Sequence, residues 1–218
     1  MSFRINHKLW IGGAAALLLM IPAMADDLAG MKAFKSGDYK AAYNEWKPLA
    51  DKGDANAQCN LGIMFRNGLG VDKDPQEAFR LFQASADKGN AQAQYQLAQM
   101  YAKGWGVPQN YSSALLWTQK SAAAGDPDGE NRMGWLYDEG YGVQKDAKQA
   151  AYFYRLAAEK GNADAQFSLG MAYEKGSGVR KDNAEAAKWL KLAAKQGVAK
   201  AQAELDAMSQ KEQLVTKK

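Results

Sequence analysis

The sequence contains one cysteine, Cys59, and one histidine, His7. A lone cysteine cannot close a disulfide within the chain or build a thiolate metal site. His7 lies in a segment that we expect to be removed, so the mature chain would hold no imidazole. These absences exclude Ser-His-Asp and Cys-His nucleophile systems and His-containing zinc sites. Carboxylate-only catalysis remains formally open, but no carboxylate pair stands out. We therefore expect no enzyme activity, no metal and no cofactor.

Long apolar runs are also missing, except for Leu9–Ile21 near the start of the chain. Arg4 and Lys8 precede this run, and small residues ending at Ala25 follow it, which is typical of a secretory signal peptide. Its 13 residues are too few for a hydrocarbon core that needs about 20, which disfavours the alternative of an uncleaved membrane anchor. We expect cleavage after Ala25 and export to the periplasm, with secretion as the alternative and no stable membrane insertion.

A large excess of charge of either sign is absent. The chain has 28 basic and 24 acidic residues, and removal of Arg4 and Lys8 with the signal peptide leaves 26 against 24, a net charge of +2. Because nucleic-acid binding relies on a strong positive field, this balance gives no reason to expect a nucleic-acid partner.

Glycine, by contrast, recurs with a fixed spacing of 36 residues. Three glycine positions repeat in this way without any insertion, and one valine and one alanine position repeat in the same register, so the chain is an array of similar units. The five columns are Gly53, Gly89, Gly125, Gly161 and Gly197; Gly68, Gly104, Gly140 and Gly176; Gly70, Gly106, Gly142 and Gly178; Val71, Val107, Val143 and Val179; and Ala78, Ala114, Ala150 and Ala186.

Each unit is predicted to form two helices. Leu61, Met64 and Phe65 are spaced i, i+3 and i+4, as on one helical face, and the later units repeat this spacing. Asp or Asn stands wherever an N-cap is needed, and the Gly68 column stands where the first helix would end in the left-handed conformation. The N-cap columns are Asp54, Asn90, Asp126 and Asn162 for the first helix, and Asp74, Asn110, Asp146 and Asp182 for the second.

The periodicity also predicts the organisation of the chain. Residues 1–25 form the cleaved signal peptide and residues 26–52 an N-terminal capping helix pair. Residues 197–218 form a C-terminal cap, in which a lone first helix extends to Met208 and a charged, frayed tail begins at Ser209. The four repeats between the caps are residues 53–88, 89–124, 125–160 and 161–196.

The pattern A-x-A-Q-x-x-L-G-x-M-Y-x-x-G-x-G-V, followed by an alanine of the second helix, resembles the Sel1-like repeat, a relative of the tetratricopeptide repeat. The second unit carries it in Ala93, Gln94, Leu97, Met100, Tyr101, Gly104, Trp105, Gly106, Val107 and Ala114, and the resemblance covers residues 53–208. It implies an all-α fold, a right-handed α/α superhelix or solenoid of helix pairs, whose concave side binds other proteins. It also implies adaptor or regulatory roles in bacterial envelopes, although a fold alone does not fix a function.

Comparison of the units with one another identifies a candidate binding face. Two variable columns of the first helix lie four residues apart, on one face and away from the predicted core face. By the tetratricopeptide resemblance this face lines the concave groove, joined by two columns near the helix end, and its aromatic residues with a polar surround suit a protein hot spot. The alternative is that the aromatic residues pack between adjacent first helices. The predicted partner-binding residues are Arg66, Tyr95, Gln99, Lys103, Asn131, Trp135, Asp138, Phe167 and Met171.

Two aromatic residues of the loops have two open interpretations. Trp105 and Tyr141 each stand between the two glycines of a loop. They would either form part of a binding surface or fold back against the end of the preceding helix.

Residues 85–88 match S-x-x-K, the nucleophile motif of serine β-lactamases. Ser85 aligns with Ser121, Ala157 and Ala193, which predicts a packing role for a small residue, and no S-D-N or K-T-G motif accompanies it. Some cysteine-rich relatives of the Sel1-like repeat carry a β-lactamase label, but they resemble a disulfide-stapled form of the repeat, and this chain lacks those cysteines. A penicillin-interacting hydrolase is therefore only a remote alternative.

Together these observations predict a non-enzymatic periplasmic protein that binds a protein or peptide of the bacterial envelope through its concave groove, as an adaptor or regulator. The alternative within binding is an immunity or inhibitor protein that captures a secreted effector. The sequence does not distinguish these two roles.

Overall fold

The computed structural model describes residues 28–216, so the predicted signal peptide lies outside the described part of the chain. Within residues 28–216 there are eleven helices and no strands, as the predicted all-α repeat fold requires. The helices are α1 (residues 28–35), α2 (Tyr39–Asp51), α3 (Ala55–Asn67), α4 (Pro75–Ala86), α5 (Ala91–Lys103), α6 (Tyr111–Ala123), α7 (Pro127–Glu139), α8 (Ala147–Glu159), α9 (Ala163–Lys175), α10 (Asn183–Lys195) and α11 (Ala199–Thr216).

The first helix of each repeat begins and ends as its sequence predicts. In α5 the Asn90 side chain accepts a hydrogen bond from the Ala93 amide, which satisfies one of the free amides at the helix start. At the other end Gly104 adopts the left-handed conformation with φ 69°, which a residue without a Cβ reaches most easily. Its equivalents Gly68, Gly140 and Gly176 end α3, α7 and α9 in the same conformation.

The second helix of each repeat is capped by the predicted Asp or Asn column. Asp146 accepts hydrogen bonds from the amides of Lys148 and Gln149 at the start of α8. A backbone hydrogen bond from the Asp146 amide to the Tyr137 carbonyl ties this start back to α7. Equivalent hydrogen bonds recur in the neighbouring repeats. The start of the second helix is therefore attached to the same position of the first helix in each repeat.

The core is built from the fixed apolar columns. In α5, Leu97 and Met100 are fully buried, while the next position of the same face, Tyr101, is partly buried. A buried glutamine column adds hydrogen bonds between successive helices. Gln94 donates to the Ala86 carbonyl, where α4 ends and leaves carbonyls without helical partners. The repeats are therefore joined by apolar packing and by capping of one helix by the next.

The two ends of the array differ from its middle. At the N-terminus, Trp46 of α2 is buried in a cluster with Leu61 and Met64, and the Phe34 ring packs against its indole. At the C-terminus the predicted frayed tail is wrong, since α11 continues through Ser209 to Thr216. The physical reason is that Glu212 occupies the position equivalent to the helix-ending glycines, so nothing stops the helix there.

The chain divides into two compact units, one up to Leu81 and one from Phe82 onward. The N-terminal unit holds α1 to α3 and the start of α4, and the C-terminal unit holds the end of α4 and α5 to α11. Across residues 28–216, none of the helices combines the length and the apolar character that a membrane crossing demands.

Candidate functional site

A cavity of about 660 Å³ opens in the C-terminal unit between α5, α6, α7 and the loop that follows α7. Ligand-binding pockets usually have volumes in this range, and they combine an apolar lining with a few polar groups. The residues that line it are Tyr95, Ala98, Gln99, Ala102, Lys103, Tyr111, Ala114, Leu115, Thr118, Arg132, Trp135, Leu136, Tyr141 and Gly142.

Helical spacing brings these side chains together. Tyr95, Gln99 and Lys103 follow one another at intervals of four along α5 and so lie on one face of it. Arg132 and Trp135, three residues apart, do the same on α7. Helix α6, the second helix of the same repeat as α5, forms the third wall of the cavity. Within α6 the Thr118 hydroxyl donates a hydrogen bond to the Ala114 carbonyl. The site thus needs three helices from two successive repeats.

The aromatic rings of the cavity are held by contacts with one another and with cations. The Trp135 and Tyr141 rings stack with centroids 5.1 Å apart and planes 25° apart. The guanidinium carbon of Arg132 lies 4.0 Å from the Trp135 ring centroid, within cation–π distance. Tyr141 is 58% exposed, so an aromatic surface remains open to a ligand.

The charged side chains of the lining are Lys103 and Arg132, and none of the described residues in the lining carries a carboxylate. Burial lowers the pKa of the Arg132 guanidinium, and the nearby Tyr95 phenol opposes this effect. Burial also raises the pKa of Tyr95, as does the charge of Asp128, against the opposing effect of a hydrogen bond with Gln99. The described lining therefore carries two positive charges and no negative one, and both cations are at solvent-exposed positions.

Four of the predicted binding residues line this cavity, namely Tyr95, Gln99, Lys103 and Trp135. Trp135 also packs partly against the buried cluster of Ala122, Met133 and Leu136. It is therefore both a cavity residue and a contributor to inter-helix packing.

Three predicted residues lie elsewhere. Arg66 belongs to α3 in the N-terminal unit, where its Nε donates to the Asn67 side chain at 3.3 Å. Asn131 is half-buried on α7 and does not line the cavity. Asp138 is near Tyr154, whose pKa is raised mainly by burial and also by the Asp138 charge.

The remaining two, Phe167 and Met171, lie on α9 and are partly buried against a cluster of α10 and α11 that includes Leu190 and Met208. Phe167 and Met171 therefore contribute to helix packing, and the cluster that they contact includes residues of both α10 and α11.

Sequence comparison of the repeats missed several lining residues. Arg132 is adjacent to Asn131, whose column was predicted to bind a partner. Its spacing of three residues from Trp135 indicates that both side chains lie on the same face of α7. Tyr111, Leu115 and Thr118 belong to the second helix, which the tetratricopeptide resemblance did not place in a groove. Their spacing of four and then three along α6 marks a common face, but not one that the sequence shows to be open.

Of the two loop aromatics, Tyr141 joins the cavity, whereas Trp105 does not line it. Trp105 is 44% exposed, and the Lys103 ammonium lies 4.3 Å from its ring centroid. Its amide donates to the Met100 carbonyl, so its backbone completes the end of α5. The Tyr141 amide makes the equivalent hydrogen bond to the Leu136 carbonyl, so the backbone of both residues completes a helix end, and only the Tyr141 ring also lines the cavity.

Among the described residues, neither the candidate nucleophile Ser85 nor the lone thiol of Cys59 is accessible to a substrate. Ser85 and Cys59 are both buried. Ser121, the equivalent of Ser85, donates its hydroxyl to the Ala91 carbonyl and so bridges two helices. No group of three or more His, Cys, Asp or Glu residues that could hold a metal occurs in residues 28–216.

Comparison with known families matches four Sel1 repeats, at residues 55–90, 91–126, 127–162 and 163–198. Each match takes in one first helix and one second helix. Sel1 repeat proteins are generally binding or adaptor proteins without enzymatic activity.

Solved structures show the same fold. A Sel1 repeat protein from Oxalobacter formigenes is 32% identical with a TM-score of 0.72, over 78% of this chain and 49% of that protein. The protective antigen c5321 of uropathogenic Escherichia coli is 33% identical with a TM-score of 0.70, over 84% of this chain and 40% of that protein. The immunity protein Pa5087 of Pseudomonas aeruginosa is 26% identical with a TM-score of 0.55, over 75% of this chain and 60% of that protein. The chain thus spans half or less of the first two proteins.

Proposed function

Because the chain belongs to the Sel1 repeat family, we propose that it is a non-enzymatic binding protein of the bacterial periplasm. It holds a segment of an envelope protein in the cavity between α5, α6 and α7, and acts as an adaptor or regulator. The observation that carries this proposal is the Trp135–Tyr141 pair, two stacked rings beside an open cavity of about 660 Å³. Aromatic side chains with a polar surround are frequent anchors of protein interfaces.

The test is affinity capture from a periplasmic extract with the purified mature chain and two variants. Trp135→Ala removes the cavity aromatic, whereas Tyr152→Ala removes an aromatic of α8 that is 56% exposed and does not line the cavity. A partner retained by the wild type and Tyr152→Ala but lost by Trp135→Ala supports the proposal. A partner that all three chains retain equally contradicts it.

An immunity or inhibitor role is the second candidate, favoured by the 26% identity with the immunity protein Pa5087 over 75% of this chain. The identity of the captured partner separates the two roles. In the immunity role, the partner is toxic when directed to the periplasm of a host cell, and co-expression of the wild-type chain restores growth. A harmless resident protein of the envelope would indicate the adaptor role.

A β-lactamase-like activity is tested with a chromogenic β-lactam. Since Ser85 is completely buried, a substrate cannot reach its hydroxyl, and we expect no turnover by the purified chain. Hydrolysis that disappears in a folded Ser85→Ala variant would contradict the non-enzymatic proposal.

A further inference from the structure

The two charged groups of the cavity lack carboxylate partners. Among the described residues, neither Arg132 nor Lys103 takes part in an ion pair such as Lys160–Glu130 or Lys188–Glu185. Instead, Arg132 lies over the Trp135 ring and Lys103 over the Trp105 ring. These aromatic contacts leave the N–H donors of both side chains available.

Acidic side chains near the cavity already have other roles. Asp128, whose charge reaches Tyr95, accepts a hydrogen bond from Asn162 at 2.8 Å. Asp126 accepts from the Gly129 amide as the N-cap of α7. Neither lines the cavity, so the positive charge of its walls is not balanced from within.

The arrangement favours a carboxylate as the missing partner. A guanidinium that lies over an indole face can still form paired hydrogen bonds with a carboxylate. The Gln99 amide, on the same wall, offers further hydrogen bonds to a bound chain.

The rest of the lining is apolar. Ala98, Leu115 and Leu136 line the cavity together with the rings of Tyr95 and Trp135. A side chain that enters beside the carboxylate therefore gains by burying apolar surface, and an aromatic ring gains additional stacking.

We infer that the cavity binds an acidic segment of a partner protein, in which an Asp or Glu side chain stands next to an aromatic or large aliphatic residue. This inference rests on the proposed function and specifies the chemistry of the partner. The carboxylate pairs with Arg132, with Lys103 as the second cation, and the neighbouring apolar side chain lies among Tyr95, Trp135 and Leu136.

The experiment selects ligands without assuming their composition. A library of short random peptides displayed on phage is selected against the immobilised mature chain and counter-selected against the empty support. The inference expects enriched peptides that pair Asp or Glu with an aromatic or large aliphatic residue. Enrichment of basic or uncharged peptides overturns it, and so does the absence of any enrichment.

An enriched peptide, amidated at its C-terminus and labelled with a fluorophore, is then titrated by fluorescence anisotropy. Arg132→Met should weaken binding by about tenfold or more, the effect of losing a charge-assisted hydrogen bond. Arg155→Met is the matched control, because Arg155 lies over the Tyr173 ring outside this cavity. Equal weakening by both variants overturns the inference. Lys103→Gln and Lys120→Gln form a second matched pair, since Lys120 lies over Trp117.

The two levels of the proposal can fail separately. If Trp135→Ala abolishes binding of the selected peptides while Arg132→Met leaves it unchanged, the cavity is a protein-binding site but the acidic class of ligand is wrong. If Trp135→Ala also leaves binding unchanged, the proposed function fails together with the inference. Circular dichroism of each variant verifies that the helices are retained.

Discussion

The ammonium of Lys160 lies 2.6 Å from the carboxylate of Glu130, which is almost wholly buried, and donates also to the Gly125 carbonyl at 2.8 Å. The second Glu130 oxygen is buried without a hydrogen-bond partner. Lys160, just past the end of α8, thus joins the end of this helix to the start of α7 in the same repeat and to the loop that precedes α7.

The next repeat makes the same connection with neutral groups. Gln196 donates to the Gln166 side chain at 2.8 Å and to the Gly161 carbonyl at 3.0 Å. Each of these residues lies 36 positions after its counterpart around Lys160. The same structural position is therefore occupied by an ion pair in one repeat and by a pair of side-chain amides in the next.

Lys160→Met should destabilise the fold by about 2 kcal/mol, because it leaves the buried Glu130 carboxylate without its cation. The double variant Glu130→Gln with Lys160→Gln, which copies the amide pair of the next repeat, should be within about 1 kcal/mol of the wild type. Urea denaturation followed by circular dichroism measures both. The exposed pair Lys188–Glu185 provides the control, where Lys188→Gln should cost under about 0.5 kcal/mol. An unstable double variant would show that the two pairs are not equivalent.

Gly134 should not tolerate a methyl group. A Cβ at this position would lie 2.6 Å from Cδ1 of Tyr154, so Gly134→Ala should destabilise by roughly 1–2 kcal/mol despite the better helix propensity of alanine. The preceding repeat has Ala98 and Thr118 at the equivalent positions. Adding Tyr154→Thr to Gly134→Ala should therefore cost less than the sum of the two single changes. Additive losses in thermal unfolding would contradict the close approach of α7 and α8.

Gly104→Val should destabilise the chain by about 1–3 kcal/mol, since a β-branched residue resists the left-handed conformation seen at φ 69°. Gly104→Asn should cost less, because asparagine enters that region more readily. Melting temperatures of the two variants provide the measurement. Equal melting temperatures would mean that the helix end does not depend on this backbone conformation.

Trp135→Ala should weaken partner binding by about 2 kcal/mol or more if the indole is a hot spot. Because the ring also packs against Met133 and Leu136, a loss of stability of about 2 kcal/mol should accompany it. Tyr141→Ala separates the two effects, since this exposed ring should cost binding while reducing stability by under about 1 kcal/mol. Affinity and melting temperature are measured on the same preparations. Unchanged affinity in both folded variants would remove the aromatic pair from the binding site.

Export should yield a mature chain that begins at Asp26, because Arg4, Lys8, the apolar run and Ala25 form a cleavable signal. Mass spectrometry of the protein from a periplasmic fraction gives the mature N-terminus. Full-length chain retained in the membrane fraction would instead support the anchor that was the alternative.

The local structure could be predicted from the sequence to a large extent, since it depends on short-range chemistry repeated every 36 residues. Asn90 caps α5 and Gly104 ends it as expected. The continuation of α11 past Ser209 has the same origin, because Glu212 replaces the glycine that ends the first helix of each repeat. Where the glycine of this column is replaced, the helix does not end at the usual position.

The candidate site was only partly predictable. The spacing along α5 and α7 identified the faces that carry Tyr95 and Trp135. However, the sequence does not show which of the equivalent positions in the four repeats are open and which are covered by a neighbouring helix. Phe167 occupies the same column as Tyr95, and yet it packs against the cluster of α10 and α11. Only the tertiary structure shows which members of a column remain open, because that depends on which helix lies next to them.

The sequence by itself therefore determined the helix pairs, their caps and their apolar faces, each of which depends on residues a few positions apart. The tertiary structure decided that Arg132 and Tyr141 join Trp135 around one cavity, and that Lys160 meets Glu130 across 30 residues of chain. These relations depend on the packing of several helices at once. Helical periodicity fixes the direction of a side chain on its own helix, whereas the burial of that side chain is set by its neighbours in space.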